Sequence, residues 1–542
     1  MKYTSAADRY AKLTGDRTIF LDTARDCAKL TLPHLLTPTG VVNGQKLPTP
    51  WQSVGAKGVN VMASKLMLSL FPVSATFFKL QVNDGKLATD PKLDAKIRSE
   101  IDLSLSKIER IVMQHIAESQ DRVLLHQAMK HLIVTGNVLL YMGPKGIKLY
   151  PLDRFCLVRD GNGRPTEVVT VESVDRQFLP EELQEDYKKR TNHTGENTPT
   201  VSVDVTVGED EVAVYTHAKL IDGQWRWRQE ANGEVIPGSE GRSPKDKTPW
   251  LPLRFNVVDG EDYGRGRIEE YLGDLRSLEG LMQAMVEGSA AAAKVVFLVA
   301  PSATVKPSTL AKAGNGAIIL GRPEDVTAVQ VDKRADFSTV LQMIQMLNQR
   351  LSEAFLILNV RDSERTTAEE IRMTQQELNE QLGGIFGNLS AELLRPYVEW
   401  KLFTLQRDRA FPKLPTGIVM NVIAGLEGVG RGQDREALIM FLQTLQQSMS
   451  PEVVMQYINP EEAIKRLAAS MGIETLSLIK GAEERDAEQN KAQQQNMMAS
   501  LTNQAGQLAK APVADPAKNP GALDFLSNVT QSAQSQSPQG PA

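Results

Sequence analysis

Apolar positions recur first at helical spacing. Over Ser53–Leu70, Val54, Val59, Val61, Met62, Leu66 and Leu70 follow the period of one helix face and stop at Phe71-Pro72. A second helix is predicted from Pro91 to Glu118, with Ile97, Ile101, Leu105, Ile108, Ile111 and Val112 in one stripe. A third runs over Val123–Thr135 and ends at Gly136-Asn137, so the chain to about residue 135 reads as helical. The period then shortens. Val138–Met142 is strand-like, Val201–Val207 alternates strictly, and Val212–Leu220 and Gln224–Arg228 flank the hairpin signal Asp222-Gly223. With a further turn at Gly161-Asn162-Gly163, residues 138–256 read as one antiparallel sheet domain.

From Gly264 the helical period returns. Ile268, Leu272, Leu275, Leu278, Leu281 and Met285 line one side of a helix expected to reach about Val295. Gly273, Gly280, Gly288 and Ala290–Ala293 make it small-sided. Glycine costs about 1 kcal/mol per helical position relative to alanine, so these positions point to close approach by another backbone. That backbone belongs either to the same bundle or to a neighbouring subunit. Residues 297–333 carry Pro301, Pro307, Gly314-Asn315-Gly316 and Gly321-Arg322-Pro323, and read as a small α/β excursion. A second long helix follows, with Phe337, Val340, Leu341, Ile344, Leu347, Leu351, Phe355 and Leu358 on one face. Two long helices thus bracket a compact insertion.

A polar break, Asn359–Thr366, precedes the capping box Thr367-Ala368-Glu369-Glu370 and more helix to about Arg409, with a kink expected at Pro396. Shorter helices are expected over 434–480. From Glu483 the chain is rich in Gln, Ala, Asn, Ser and Pro, and 484–542 reads as a flexible tail.

Composition narrows the function. The chain has 542 residues, 41% hydrophobic and 23% charged, as in a soluble globular protein of two or more domains. Its formal charge of −5, from 61 basic and 66 acidic residues, excludes a generally basic nucleic-acid binder but allows local basic rings. Cys27 and Cys156 cannot make a disulfide framework or a cysteine zinc site, and the histidines are scattered. His126 and His131 are five apart on a predicted helix, a poor metal pair, and read as one surface and one core histidine. No secretory signal leads the chain, and the apolar run Ala290–Ala300 is broken by Lys294, too short to span a membrane. No Gly-x-x-x-x-Gly-Lys-Ser/Thr phosphate loop is present. Gly264-Arg265-Gly266-Arg267 lacks the register and βαβ context of a dinucleotide site and reads as a loop-to-helix turn. The acidic pairs Glu269-Glu270 and Glu369-Glu370 fall in first helical turns, where the helix dipole favours them. No catalytic set, metal or cofactor is indicated, which turns the reading towards a mechanical or assembly role.

Several blocks carry a resemblance. They are Thr49–Ala56, Ala63–Pro72, Gly136–Tyr141, Tyr263–Arg265 with Ile268–Glu279, Thr367–Arg372, and Gly425–Glu427 with Gly430–Asp434. On these the chain resembles the portal proteins, or head-to-tail connectors, of short-tailed phages of the autographivirus type. The stretch 175–245, the first residues and the tail match least. The resemblance implies an α+β, mainly helical portal fold assembling as a dodecameric ring around a central DNA channel. In its terms 1–263 and 359–433 form a wing, 264–296 and 334–358 a two-helix stem, 297–333 a clip and 434–483 a crown. It makes 359–366 a tunnel loop, with Asn359, Arg361, Asp362, Glu364 and Arg365 facing the channel. Lys306, Lys312 and Arg322 become clip contacts for motor and tail, and Gly273, Gly280 and Gly288 subunit-packing positions. The implied partners are double-stranded DNA without sequence specificity, the terminase large subunit, a tail adaptor or tube protein, the capsid and scaffolding proteins, and internal core proteins. A place in the virion, and in the host cytoplasm during assembly, goes with them. Two other readings stay open from the residues alone: an adaptor that binds a portal ring, and a nucleotide-dependent enzyme.

Overall fold

The computed structural model describes residues 5–37, 45–72, 77–82, 95–144, 146–180, 211–292, 296–314, 318–329, 334–357, 384–406, 420–424 and 430–448, with 463, 464, 467, 491 and 494–500. The chain divides into two units, Met1–Gln433 and Asp434–Ala542.

In the first unit, α1 (Ala6–Lys29) is capped by Ser5, whose hydroxyl accepts from the Asp8 amide. Then come α2 (Val54–Leu70), β1 (Phe78–Val82), α3 (Ala95–Glu118) and α4 (Asp121–Thr135). Val59, Met62, Leu66 and Leu70 of α2 are buried, as their spacing predicts. Strand β1 is the exception to an all-helical start. It pairs antiparallel with β13 (Met420–Ala424), a partner more than 330 residues away that no local pattern announces.

The strand region forms two sheets rather than one. Strands β2 (Asn137–Gly143), β3 (Gly146–Tyr150) and β10 (Trp250–Arg254) make a three-stranded antiparallel sheet in the order β10-β2-β3. The second sheet contains β4 (Phe155–Arg159), β5 (Pro165–Asp175), β6 (Glu211–Ile221), β7 (Gln224–Ala231) and β8 (Glu234–Val235), in that order, with β9 (Gly241–Pro244) also on β7. Burial explains the split: β10 is buried at all five positions, an apolar run closed by the paired Arg254, whereas β6 alternates and keeps one face outside the main core. The Asp222-Gly223 hairpin forms as expected, both residues at positive φ (51° and 72°), the geometry of a type I′ turn. The alternating run 201–207 lies outside the described residues.

After α5 (Arg267–Glu270) the helical path breaks at Tyr271 and resumes as α6 (Leu272–Ala292). The insertion holds β11 (Val296–Val299), α7 (Pro307–Ala311) and β12 (Val326–Val329), with β11 and β12 antiparallel. Helix α8 (Arg334–Ala354) then stops short of the predicted Leu358, because Leu356 takes φ 55° and turns the chain. Helix resumes over 384–389, widens to a π turn at Ser390–Leu394 and continues as α9 (Arg395–Leu405). A π turn, rather than a break in the helix, stands just before Pro396, where it accommodates the missing amide and the ring. One hydrophobic core runs from Leu21 to Leu402 through both helix groups and the three-stranded sheet. The capping box 367–370 lies outside the described residues.

The second unit is described mainly through α10 (Gly430–Ser448), which begins just ahead of the boundary and exposes Met440 and Phe441. A further helical stretch, 494–500, lies within the region predicted as a tail.

Candidate functional site

The described blocks among those that carry the resemblance, within 49–72, 136–141 and 263–279, meet at the root of the α6/α8 pair, while Thr367–Arg372 lies outside the described residues. Gly136 ends α4 in the left-handed conformation at φ 75°, its amide donating to the Leu132 carbonyl at 2.9 Å. Asn137 then locks onto Gly264: its Nδ2 donates to the Gly264 carbonyl and its Oδ1 accepts from the Gly264 amide, each at 2.7 Å. A Cβ on Gly264 would stand 2.8 Å from the Arg254 Cβ, and one on Gly266 2.8 Å from the Val134 carbonyl, so the loop is pressed against the α4–β2 corner. This is the loop-to-helix turn expected of Gly264–Arg267. Arg265 holds it by bonding Glu261 and Glu269 while its guanidinium stacks over Phe20 at 5.2 Å. Hydrogen bonds from Arg265 to Glu261 first, then to Glu269, raise the guanidinium above its usual range.

From this root the pair is tied to α2. The Glu279 carboxylate on α6 accepts from the amides of Trp51 (2.9 Å) and Gln52 (3.2 Å), while Gln52 caps Gly55 and donates to the Leu30 carbonyl. Gly58 of α2 leaves room for the Phe355 ring at the end of α8: a Cβ there would sit 2.5 Å from it. Lys65 donates to the Leu356 carbonyl at 2.7 Å. Between the two helices Arg350 pairs with Asp274 at 2.8 Å, and a Cβ on Gly288 would touch the Phe337 ring at 3.2 Å. Those contacts fix α6 and α8 as antiparallel. Sequence reasoning assigned no role to Glu279; its position inside the Ile268–Glu279 block was the available signal.

The predicted site residues separate into three groups. Gly288 faces its own chain's Phe337, whereas a Cβ on Gly273 or Gly280 meets open space in a single chain. Val286, Leu341, Met343 and Met346 are exposed apolar side chains on the same pair. Lys306, Lys312 and Arg322 are exposed in the insertion, around a fold held by Asp325, whose carboxylate accepts from both the amide and hydroxyl of Thr304. Asn359, Arg361, Asp362, Glu364 and Arg365 lie outside the described residues.

A second polar anchor was not foreseen. Glu392, inside the π turn, accepts from the backbone amide, Nε and Nη2 of Arg254, while Asn388 donates to the Arg254 carbonyl. The histidines behave as predicted: His131 is buried and His126 is partly exposed. Among the described residues no group of His, Cys, Asp or Glu is placed to hold a metal, and no helix is long and apolar enough to cross a membrane.

Comparison with known proteins covers most of the chain. Residues 3–479 match the family of bacteriophage head to tail connecting proteins. The portal protein of Escherichia phage T7 is 37% identical over 528 residues, 95% of each chain. That of Enterobacteria phage T3 is 37% identical over 491 residues, 88% of each, and that of Enterobacteria phage SP6 29% identical over 509 residues, 90% of this chain and 93% of its own. A family match over 3–479 and 37% identity over 95% of both chains give one conclusion: the chain belongs to the head-to-tail connecting proteins of bacteriophages, the portal proteins of the virion's head-tail junction.

Proposed function

We propose that this chain closes into a dodecameric ring at one capsid vertex, through which double-stranded DNA is packaged and later ejected. The observation that carries the reading is similarity to phage portal proteins over 95% of both chains. In this reading α6 and α8 are the stem, 297–333 the clip and 359–366 a tunnel loop. The segments before and after the stem form the wing, and 434–483 the crown. The ring assembles in the host cytoplasm with capsid and scaffolding proteins and meets internal core proteins at the crown. The exposed Val286, Leu341, Met343 and Met346 supply apolar area for a neighbouring stem, and Gly273 and Gly280 allow its close approach. The clip, with Lys306, Lys312 and Arg322 exposed, docks the terminase large subunit during filling and the tail adaptor afterwards.

DNA must slide through such a ring. Each phosphate bound by Lys or Arg releases counterions and adds affinity, so a continuous basic lining would trap the duplex. A chain at −5 avoids that, and Arg361 and Arg365, interleaved with Asp362 and Glu364, touch phosphates only transiently. The chain itself hydrolyses nothing; the energy comes from the separate motor. Electron microscopy of the purified protein tests the ring: closed rings with a central hole are expected. Particles that form no ring but attach to preformed portals would replace the reading with that of an adaptor. For the loop, Arg361→Ala with Arg365→Ala should leave ring assembly and motor ATPase unchanged and reduce retained genome. Full retention would defeat the loop's assignment.

A further inference from the structure

The six-stranded sheet carries on one face a feature that the ring reading does not use. Helix α1 covers part of that face, packing Tyr10 against Tyr215 and Val169 and pairing Arg9 with Glu167 at 2.8 Å. Beside α1 the face is open, and its floor is cationic. Strand register places Lys219, Arg226 and Arg242 directly opposite one another across β6, β7 and β9, and His217 opposite Arg228 in the adjoining row. All three side chains of the first row are exposed. Like charges directly opposite on neighbouring strands are destabilising, so the row is not explained by the stability of the sheet. Acidic neighbours pair the adjoining row and one end of this one: Glu167 reaches His217 at 2.7 Å and Lys219 at 3.5 Å, and Glu230 reaches Arg228 at 2.6 Å. Among the described residues neither Arg226 nor Arg242 has an ion-pair partner. The space above them is a cleft of about 670 Å³, with Glu240 at its rim.

We propose that this trough receives an acidic α-helix of a partner protein, lying beside α1 and across the strands. The spacing favours a helix. Neighbouring strands are about 4.8 Å apart, so the row repeats nearly in step with carboxylates at i, i+3/i+4 and i+7, about 5–6 Å apart on a helix face. Lys219 is four residues from Tyr215 under α1, about 13 Å along the strand, just beyond the 8–10 Å at which helices pack. A helix about 10–12 Å across fills the floor between α1 and the Asp222-Gly223 turn. Addition of a strand to the edge is disfavoured, because β9 is four residues long and ends at Pro244. Guanidinium groups pair carboxylates bidentately, which suits Arg226 and Arg242 to this role.

The test uses the full-length protein and labelled, end-capped Ala/Gln/Glu peptides about 18 residues long, followed by fluorescence anisotropy at low salt. One peptide carries its glutamates on one helical face; the other has the same composition with glutamates on all faces. The one-face peptide should bind about tenfold more tightly, and Arg226→Glu with Arg242→Glu should abolish the difference while leaving the melting temperature unchanged. Should the double variant fail to fold, Arg226→Gln alone, which removes one exposed cation, should still weaken binding severalfold. Equal binding of the two peptides, or binding indifferent to these substitutions, overturns the proposal. So does a duplex DNA oligonucleotide that binds through Arg226 and Arg242 where the peptides do not. Ring images from the same preparations report separately on the portal reading.

Discussion

His131 sits fully inside the core with its Nδ1 unpartnered. Burial first, and nearby His34 second, push its imidazole down from 6.5 to about 4. The folded state therefore prefers the neutral ring, while the unfolded chain takes up a proton below pH 6.5. The stability this provides is complete above about pH 6.5 and is lost as pH falls towards 4, about 2 kcal/mol by pH 5. In thermal melts at pH 7 and pH 5, His131→Leu should lose less stability on acidification than the parent chain; equal losses would place the acid sensitivity elsewhere. Cys27 carries the complementary prediction. Burial first, then Glu269 and Asp26, push its thiol up to about 12, so at pH 8 it is almost entirely protonated as well as inaccessible. Iodoacetamide should label it only after denaturation, and rapid labelling of the folded chain would contradict the packing of α1 on the α6 root.

At the scale of elements, corners matter more than helix lengths. Gly136 combines a left-handed backbone with a space in which a Cβ would stand 2.5–2.6 Å from the backbone of Arg265 and Gly264. Gly136→Ala adds both αL strain and a clash with backbone that cannot swing away. It should cost more than about 2 kcal/mol, seen as a lower melting temperature. Glu279 offers a milder probe. Glu279→Ala removes the acceptor of the exposed Trp51 amide and of the part-buried Gln52 amide, a loss of about 1 kcal/mol. Hydrogen exchange of a 49–56 peptide should accelerate in that variant while β2 stays protected. Exchange unchanged over 49–56 would show that Gln52, through Leu30 and Gly55, holds the segment without the carboxylate.

At the scale of the whole molecule, Gly280 and Gly288 of α6, which the proposed reading places in a stem, are not equivalent tests of assembly. Gly288→Leu would strain α6 against Phe337 within one chain, so its effect on rings would mix folding with assembly. Gly280 faces open space in the single chain. Gly280→Leu should therefore leave the folded monomer and its melting temperature intact while blocking ring closure in electron micrographs. Normal rings from this variant would move the close subunit approach away from Gly280.

Local periodicity sufficed for α2, the paired long helices, the Asp222-Gly223 hairpin and, in α3, the buried Leu105, Ile108 and Val112, though Ile111 of the same expected stripe is exposed; each is decided by side chains within a few turns or one strand pair. The family was legible too, since its blocks are long. Four things needed the tertiary structure. The partition of 138–256 into two sheets depends on which strands bury both faces, and the β1–β13 pairing on contacts more than 330 residues apart. The hold of Glu392, inside the π turn, on Arg254 joins elements more than 130 residues apart. The cationic row is likewise invisible along the chain, where Lys219, Arg226 and Arg242 look like scattered surface charges. Strand register alone makes them neighbours, because pairing sets distance across a sheet independently of separation in sequence.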